Sequence, residues 1–556
     1  MFVFRDGRYR VATQELLLRL EQSCCSLTGL TKSDAFLDPL LRAGELECAL
    51  SDACDEAGPA RSLSEQITDQ VASRFVGGFG EAPSDLLVRL SASGLPDSVS
   101  VCTPEGFAYY GLDPRAYAQL AVAALEERRP VAVIGIRSIG TTLSAVVLAA
   151  LRERGIQSAR ITVRPEGHPF DRHLELSENQ QRFIAEWRVR SSKFFIVDEG
   201  PGLSGSSFLA VSEVLEAQGV SSTDIVFLAS RDAAPESLCA KDAALRWPRY
   251  RKLVADFSRV PDDAVSWIGG GQWRNAWMTN GSQNHWPAIW PQTERSKYLS
   301  RDGQRLYKFE GLGHYAEAPQ QRAQQLTELG FAPAVRTDDR PFAAYQVVVG
   351  RPAQLTDLNE DILSRIAEYC ALRAHEFHAE STRIGAGSMS LASMAHFNAR
   401  EGFGIDLDLE GELDIKQPII CDGRMMPHEW LLASNGRLLK SDGVSHGDDH
   451  FFPGPCDIAW DLAGAIVEWE LTPDASEFLC HRYRRMSGDD ARPRLQAYML
   501  AYSLFRLGFC AMAADAVAGS DEEPRLRADY RRYRLFAEQA LSQRDCNPTA
   551  TAQISG

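Results

Sequence analysis

The chain has 556 residues, of which 44% are hydrophobic and 24% charged, an ordinary globular balance on a length that suits roughly two to four domains. Its formal net charge of −16 argues against a bulk nucleic-acid or anionic-membrane partner. No apolar run reaches about 18 residues, so no membrane-spanning helix is expected, and the opening MFVFRDGRYRVATQ has no signal-peptide core. Twelve scattered cysteines without a CxxC pair argue against a zinc ribbon and for reduced thiols, so a cytoplasmic location is expected.

Residues 1–94 read as a helical extension: 12–75 is mostly helical in pattern, with loops expected near Gly44 and at 57–59, and it carries no chemical motif. From 95 to 262 the pattern alternates. A helix runs to Glu127, then strand 131–135, helix 142–154, strands 160–163 and 194–198, helix 206–218 and strand 224–229 follow. Such alternation implies an α/β domain with a parallel sheet covered by helices. The segment 164–183, RPEGHPFDRHLELSENQQRF, has little helical period at its start and reads either as a flexible flap or as a surface excursion.

Two turns of this alternation carry chemistry. In FFIVDEGPGLSGSSF (194–208) an apolar strand delivers Asp198 and Glu199 to a loop of glycines and serines that leads into a helix. Glycines let backbone N–H groups approach an anion, and the helix N-terminus adds partial positive charge. In VAVIGIRSIGTTLSAVVLAALRER (131–154) the loop offers Gly135, Arg137, Ser138, Gly140 and Thr141, with no Gly-Lys-Ser/Thr of a Walker motif. Together the two segments resemble the type I phosphoribosyltransferases over roughly 95–260. The resemblance implies that Asp198 and Glu199 hold the ribose hydroxyls as catalytic acids. It gives the 5-phosphate to Gly202, Ser204, Gly205, Ser206 and Ser207, and the pyrophosphate to Gly135, Arg137, Ser138, Gly140 and Thr141. Phosphoribosyl pyrophosphate would be the substrate and Mg2+ a cofactor.

A Trp/Gly-rich connection is expected at 263–297, where five tryptophans suggest an ordered join. Beyond it, RLYKFEGLG (305–313) is an alternating strand carrying Lys308. Helix 316–329 follows, with Glu317 or Glu328 as candidates to orient that lysine, and then a strand at 343–349. In 420–465 Asn435-Gly436 marks a hairpin, with Asp422 before it and Asp442 at its end, so the two carboxylates meet on one side. Paired acids of this kind serve phosphoryl transfer, one positioning the attacking hydroxyl and one holding magnesium. With Asp457-Ile458-Ala459-Trp460-Asp461-Leu462-Ala463 downstream, 298–545 resembles the aminoglycoside phosphotransferase and choline-kinase-like enzymes, an α+β two-lobed fold. The resemblance implies ATP on Lys308, Asp422 as the catalytic carboxylate, Mg2+ on Asp442, and a structural role for Asp461.

Departures are visible in the same segment. Ile420 stands where the family has His, and Pro427 where it has Asn, so His428 or Glu429 is the candidate substitute metal ligand. The cluster His446, Asp448, Asp449 and His450 reads as a solvated loop or a separate metal site. With a tail at 546–556, the chain reads as a bifunctional enzyme on small-molecule substrates, with homo-oligomerisation left open. The alternatives are a nucleotide-sensing regulator with degenerate sites and an AMP-transferring, protein-modifying enzyme.

Overall fold

The computed structural model describes residues 1–5, 7–25, 33–56, 58–78, 83–125, 128–255, 260–278, 286–338, 341–379, 390–415 and 417–545. These form two compact units. One comprises Arg10–Val260 with Gly311–Tyr315, the other Met1–Tyr9, Pro261–Glu310 and Ala316–Gly556. The expected tail at 546–556 and Glu127 lie outside the described residues.

The first unit is built on a five-stranded, wholly parallel sheet. Its order is Ser158–Val163, Val131–Ile136, Lys193–Val197, Ile225–Ala229 and Arg251–Val254. The three central strands are apolar and sealed on both faces, as a helix-covered parallel sheet requires. Counted along the chain the order is 2-1-3-4-5, so the direction of winding reverses between Val131–Ile136 and Lys193–Val197, where Gly135 pairs with Val197. Open α/β sheets bind ligands at the carboxyl ends of the strands beside such a reversal. Both glycine-bearing loops of the sequence emerge there.

Helix Ile139–Glu153 starts earlier than the expected 142, so Gly140 and Thr141 lie in its first turn instead of in a loop. The reason is close packing: a Cβ on Gly140 would stand 2.5 Å from the Val197 carbonyl oxygen, and Thr141 is fully buried. Gly44, expected at a loop, lies inside helix Leu37–Ala53. A Cβ there would fall 1.9 Å from Thr142 Oγ1, so glycine is what lets the two helices approach. Residues 164–183 form a hairpin, Glu166–His168 with Asp171–His173, and then helix Glu178–Val189 capped by Ser177 and Gln180.

The second unit opens with an antiparallel sheet ordered Ala264–Trp267, Lys297–Ser300, Arg305–Phe309, Phe342–Gln346 and Val335–Arg336. The segment 263–297, read as a connection, supplies the first strand of this sheet. Its Trp290 is buried, and Arg274 pairs with Glu522. Helix Glu317–Glu328 follows the third strand in sequence. A second sheet joins Gly350–Pro352, Trp430–Ala433 and Leu438–Lys440, and its hairpin turns at Gly436 in the left-handed region. Helices Glu360–Glu376, Leu391–Phe403, Ala459–Glu468, Pro473–Ser487, Arg492–Ala516 and Glu522–Asp545 complete the unit. Helix Arg492–Ala516 is long and apolar enough to cross a membrane by composition, and 83% of its apolar window is buried inside the fold.

Candidate functional site

Each unit gathers its candidate residues around two acids. In the parallel-sheet unit the strand Lys193–Val197 ends at Asp198, whose backbone is fixed on both sides. Its N–H donates to the Leu228 carbonyl at 3.3 Å, and its own carbonyl accepts from the Tyr117 hydroxyl at 2.8 Å. Glu199 Oε2 accepts the Gly106 N–H at 2.8 Å. Burial pushes the Asp198 carboxyl up to about 7 against the pull of Arg172 and Arg164. Burial, reinforced by the charges of Glu105 and Asp198, lifts Glu199 well above the carboxylate range. Both carboxyls thus hold their protons to higher pH than ordinary carboxylic acids, because their surroundings supply less to the charged form than water does.

The following loop is closed by the hairpin. Ser204 Oγ and Ser206 Oγ both donate to the Pro169 carbonyl, at 2.8 and 2.7 Å, and lie 2.9 Å from each other. Ser207 is half-buried in the first turn of helix Ser206–Ala217, with Gly205 as its left-handed cap. The Gly202 carbonyl accepts from Arg231, which also faces Glu199. Three arginines thus bear on this site, Arg164, Arg172 and Arg231, and the sequence reading singled out none of them.

The other loop is arranged differently from expectation. Arg137 turns its guanidinium to Asp52 at 2.9 Å and to Thr162 Oγ1 at 3.3 Å, where Arg164 also meets Asp52. Thr141 is buried, and a Cβ on Gly135 would stand 2.4 Å from the Gly140 carbonyl oxygen. The side chains of Arg137 and Thr141 are thus committed within the fold, and Gly135 and Gly140 serve packing. Ser138 holds φ at 109°, an unfavourable backbone for a side-chain-bearing residue, at the N-cap of helix Ile139–Glu153.

In the antiparallel-sheet unit the register sets Lys308 directly opposite Lys297. Two like charges on neighbouring strands repel, and Asp442 lies between them. Lys308 Nζ donates to Asp442 Oδ1 at 2.5 Å and to Ser445 Oγ at 3.1 Å, while Lys297 Nζ is 3.4 Å from Asp442 Oδ2. Burial opposes ionisation of Asp442, yet Lys308, His446 and Lys297 hold its carboxyl well below the usual range. Glu310, fully buried, stands 3.3 Å from Lys308 and accepts from the Tyr345 hydroxyl at 2.8 Å. Glu317 and Glu328 are exposed on their helix, so Glu310 and not either of them is the acid beside Lys308.

Asp422 is 1% exposed. Its Oδ2 accepts from the Tyr369 hydroxyl, and its Oδ1 accepts the Arg424 N–H at 3.1 Å. Asp461 in helix Ala459–Glu468 accepts the N–H groups of Asp422 and Gly423 at 2.8 and 2.9 Å, which pins the loop that carries Asp422. The Asp461 carboxyl is pushed up to about 6, by burial first, with Arg373 opposing and Asp422 adding to the rise. Lys440, from the hairpin, lies 3.4 Å from Asp422 Oδ1 and 2.9 Å from the Asp442 carbonyl. Lys440 thus touches the carboxylate of Asp422 and the backbone carbonyl of Asp442, while the Asp442 carboxylate is turned to Lys308 and Lys297.

Of the substitute ligands, Glu429 reaches this group. Its Oε2 is 3.8 Å from Lys440 Nζ and accepts from Ser441 Oγ at 3.4 Å. His428 instead stacks on Trp273 at 6.1 Å between centroids, and burial lowers its imidazole to about 3. No hydrogen bond or ion pair joins His428 to Asp442 among the described residues. His446 lies 3.7 Å from Asp442, Asp449 caps the Phe451 N–H at 2.8 Å, and His450 packs against Phe4 and Phe451, so these three are engaged separately. The Asp448 side chain is outside the described set. Among the described residues no three His, Cys, Asp or Glu side chains are grouped to hold a metal ion. As arranged, the donor set does not fit Mg2+, because its carboxylate oxygens are taken up by ammonium groups, a tyrosine hydroxyl and backbone N–H groups.

No protein-family model matches the chain, and no curated protein matches it. Among solved structures it is similar to an ethanolamine kinase of Plasmodium vivax, at 11% identity and a TM-score of 0.31, with 43% of this chain and 79% of that one covered. It is also similar to choline kinase LicA of Streptococcus pneumoniae, at 13% identity and a TM-score of 0.33, covering 44% and 90%. An aminoglycoside phosphotransferase of Alicyclobacillus acidocaldarius follows at 12% identity and a TM-score of 0.25, covering 52% and 98%.

Proposed function

We propose that the antiparallel-sheet unit binds ATP and transfers its γ-phosphoryl group to a hydroxyl of a small molecule. The reading rests on one observation above the others, the buried Lys308–Asp442 pair, which joins a sheet lysine to the acid that closes the hairpin. Phosphoryl transfer depends on positioning and on charge placed around the moving phosphate, and a lysine fixed by an acid supplies such charge. Lys308 and Lys297 would face the phosphates. Asp422 is the acceptor-side carboxylate, set in place by Tyr369, Arg424 and Asp461. The test is label transfer from ATP to a panel of hydroxyl compounds: γ-label should move and α-label should not. Transfer of α-label would turn the reading to AMP transfer, and tight binding without any transfer would turn it to a sensor.

A second observation favours a second ligand in the parallel-sheet unit. Asp198 and Glu199 stand at the carboxyl end of a central strand, beside the reversal of the sheet, with Ser204, Ser206 and Ser207 at a helix N-terminus. We infer that this unit takes a phosphoribosyl group, with the two acids on the ribose hydroxyls and the serine loop on the 5-phosphate. The pyrophosphate would meet backbone N–H groups at 138–140 and the guanidinium of Arg172, since Arg137 and Arg164 are both turned to Asp52. Calorimetric titration with phosphoribosyl pyrophosphate tests this, and absence of binding would refute it.

A further inference from the structure

The residues that a metal would need in the antiparallel-sheet unit are already arranged around a lysine. Lys440 ends the strand Leu438–Lys440, opposite Trp430, and its side chain has no exposed surface. Its ammonium group is 2.9 Å from the Asp442 carbonyl oxygen, 3.4 Å from Asp422 Oδ1 and 3.8 Å from Glu429 Oε2. These three residues are the ones to which the sequence assigns the acceptor and metal roles. Asp442 in turn directs its carboxylate to two further ammonium groups, Lys308 and Lys297.

Magnesium demands near-octahedral oxygen ligands at about 2.0–2.1 Å and keeps several waters of its own. A buried ammonium held within 4 Å of the same oxygens repels a divalent ion strongly, because little water is present to screen it. Moving the lysine away would leave Asp422 with Arg373, 3.9 Å off, and the Tyr369 hydroxyl, and would leave the half-buried Glu429 without its nearest ammonium group. Its lateral support is also fixed: the Trp430 ring lies 6.0 Å from the ammonium.

We propose that Lys440 is a built-in cation, which with Arg373 offsets the charge of Asp422 and Glu429 from within the protein so that an adenine nucleotide binds this unit without a divalent metal. Lys440 is here a positioning residue. It does not touch the nucleotide but reduces the negative charge that would otherwise repel the phosphates, leaving Lys308 and Lys297 to meet them. The proposal rests on the nucleotide reading given above and goes beyond it in assigning the source of the positive charge.

The experiment is calorimetric titration of the full chain with ADP, once in excess chelator and once with millimolar Mg2+. The expected result is one affinity in both conditions, within about twofold. A gain of about tenfold or more with Mg2+ would overturn the built-in cation and leave the phosphotransfer reading standing. Absence of ADP binding in both conditions would overturn the two together. Lys440→Met removes the charge at similar length. It is expected to lose about tenfold or more of the metal-free affinity and to recover part of it with Mg2+. A folded Lys440→Met chain that binds ADP as the unaltered chain does without metal would also overturn the proposal. If the variant does not fold, as its melting curve would show, the comparison on the unaltered chain decides.

Discussion

The two units carry acid pairs in opposite electrostatic states. Asp198 and Glu199 are half-buried, and their carboxyls are driven upward although Arg172 and Arg164 bear on the first and Arg231 on the second. Asp442 is equally enclosed but bonded to Lys308 and flanked by Lys297, and its carboxyl is driven down. Burial acts in the same direction in both places, so the difference comes from the partners. An acid pair whose nearby arginines do not offset its desolvation is poised for what a ligand brings. An acid neutralised from within has become part of the framework that presents lysines.

The largest effect that would sharpen this contrast is Asp442→Asn. It leaves Lys308 to Glu310 and Ser445 and the half-buried Lys297 to Glu294, each facing an amide where a carboxylate stood, and should cost about 1.5–3 kcal/mol of unfolding free energy. Denaturant titration measures this, and adding Lys308→Met should return part of the loss. A cost within experimental error of zero would show that the lysines are already solvated and that the contrast is false.

The parallel-sheet unit should respond the other way. The folded state keeps a proton on Asp198 up to about pH 7, whereas an unfolded aspartate gives it up near 4. The stabilising contribution of that protonation is complete below about pH 4 and is lost as pH rises through about 7. Asp198→Asn should therefore be more stable than the unaltered chain at pH 8, on the order of 1 kcal/mol, with the gap shrinking towards pH 4. Melting curves across that range decide it, and a variant less stable at pH 8 would mean that Asp198 is ionised and already paired.

Smaller effects belong to the loops. Ser204→Ala and Ser206→Ala each remove one hydrogen bond to the Pro169 carbonyl, worth about 1 kcal/mol. Hydrogen exchange in 166–173 should rise in both, and unchanged exchange would separate the hairpin from the loop. Smallest is Arg137→Ala. Its guanidinium is engaged by Asp52 and Thr162, so affinity for phosphoribosyl pyrophosphate should change by less than about threefold. Loss of binding in this variant would restore the role that the sequence suggests for Arg137.

Apolar runs, two of them ending in glycine-bearing loops, made the central strands of the parallel sheet legible, because strands buried on both faces must be apolar throughout. Arg251–Val254 was missed for the converse reason: it is an edge strand, half-exposed and opening Arg-Lys. Ala264–Trp267 was hidden within a tryptophan-rich stretch that reads as a join. The acids at the strand end and around the hairpin were readable as types and spacings. Their partners were not. Asp52 is remote in sequence from Arg137, and Lys440 looks like a solvated strand terminus until the register with Trp430 turns it inward. Gly44 and Gly140 carried a signal for close approach that reads equally as a loop until Thr142 and Val197 are seen beside them.

The most direct test of two separate sites is calorimetry on the double variant Asp198→Asn/Glu199→Gln, titrated with phosphoribosyl pyrophosphate and, in a second experiment, with ADP. The account predicts loss of the first ligand and an ADP affinity unchanged within about twofold. Retention of phosphoribosyl pyrophosphate at the affinity of the unaltered chain, or loss of both ligands in a folded protein, would contradict it.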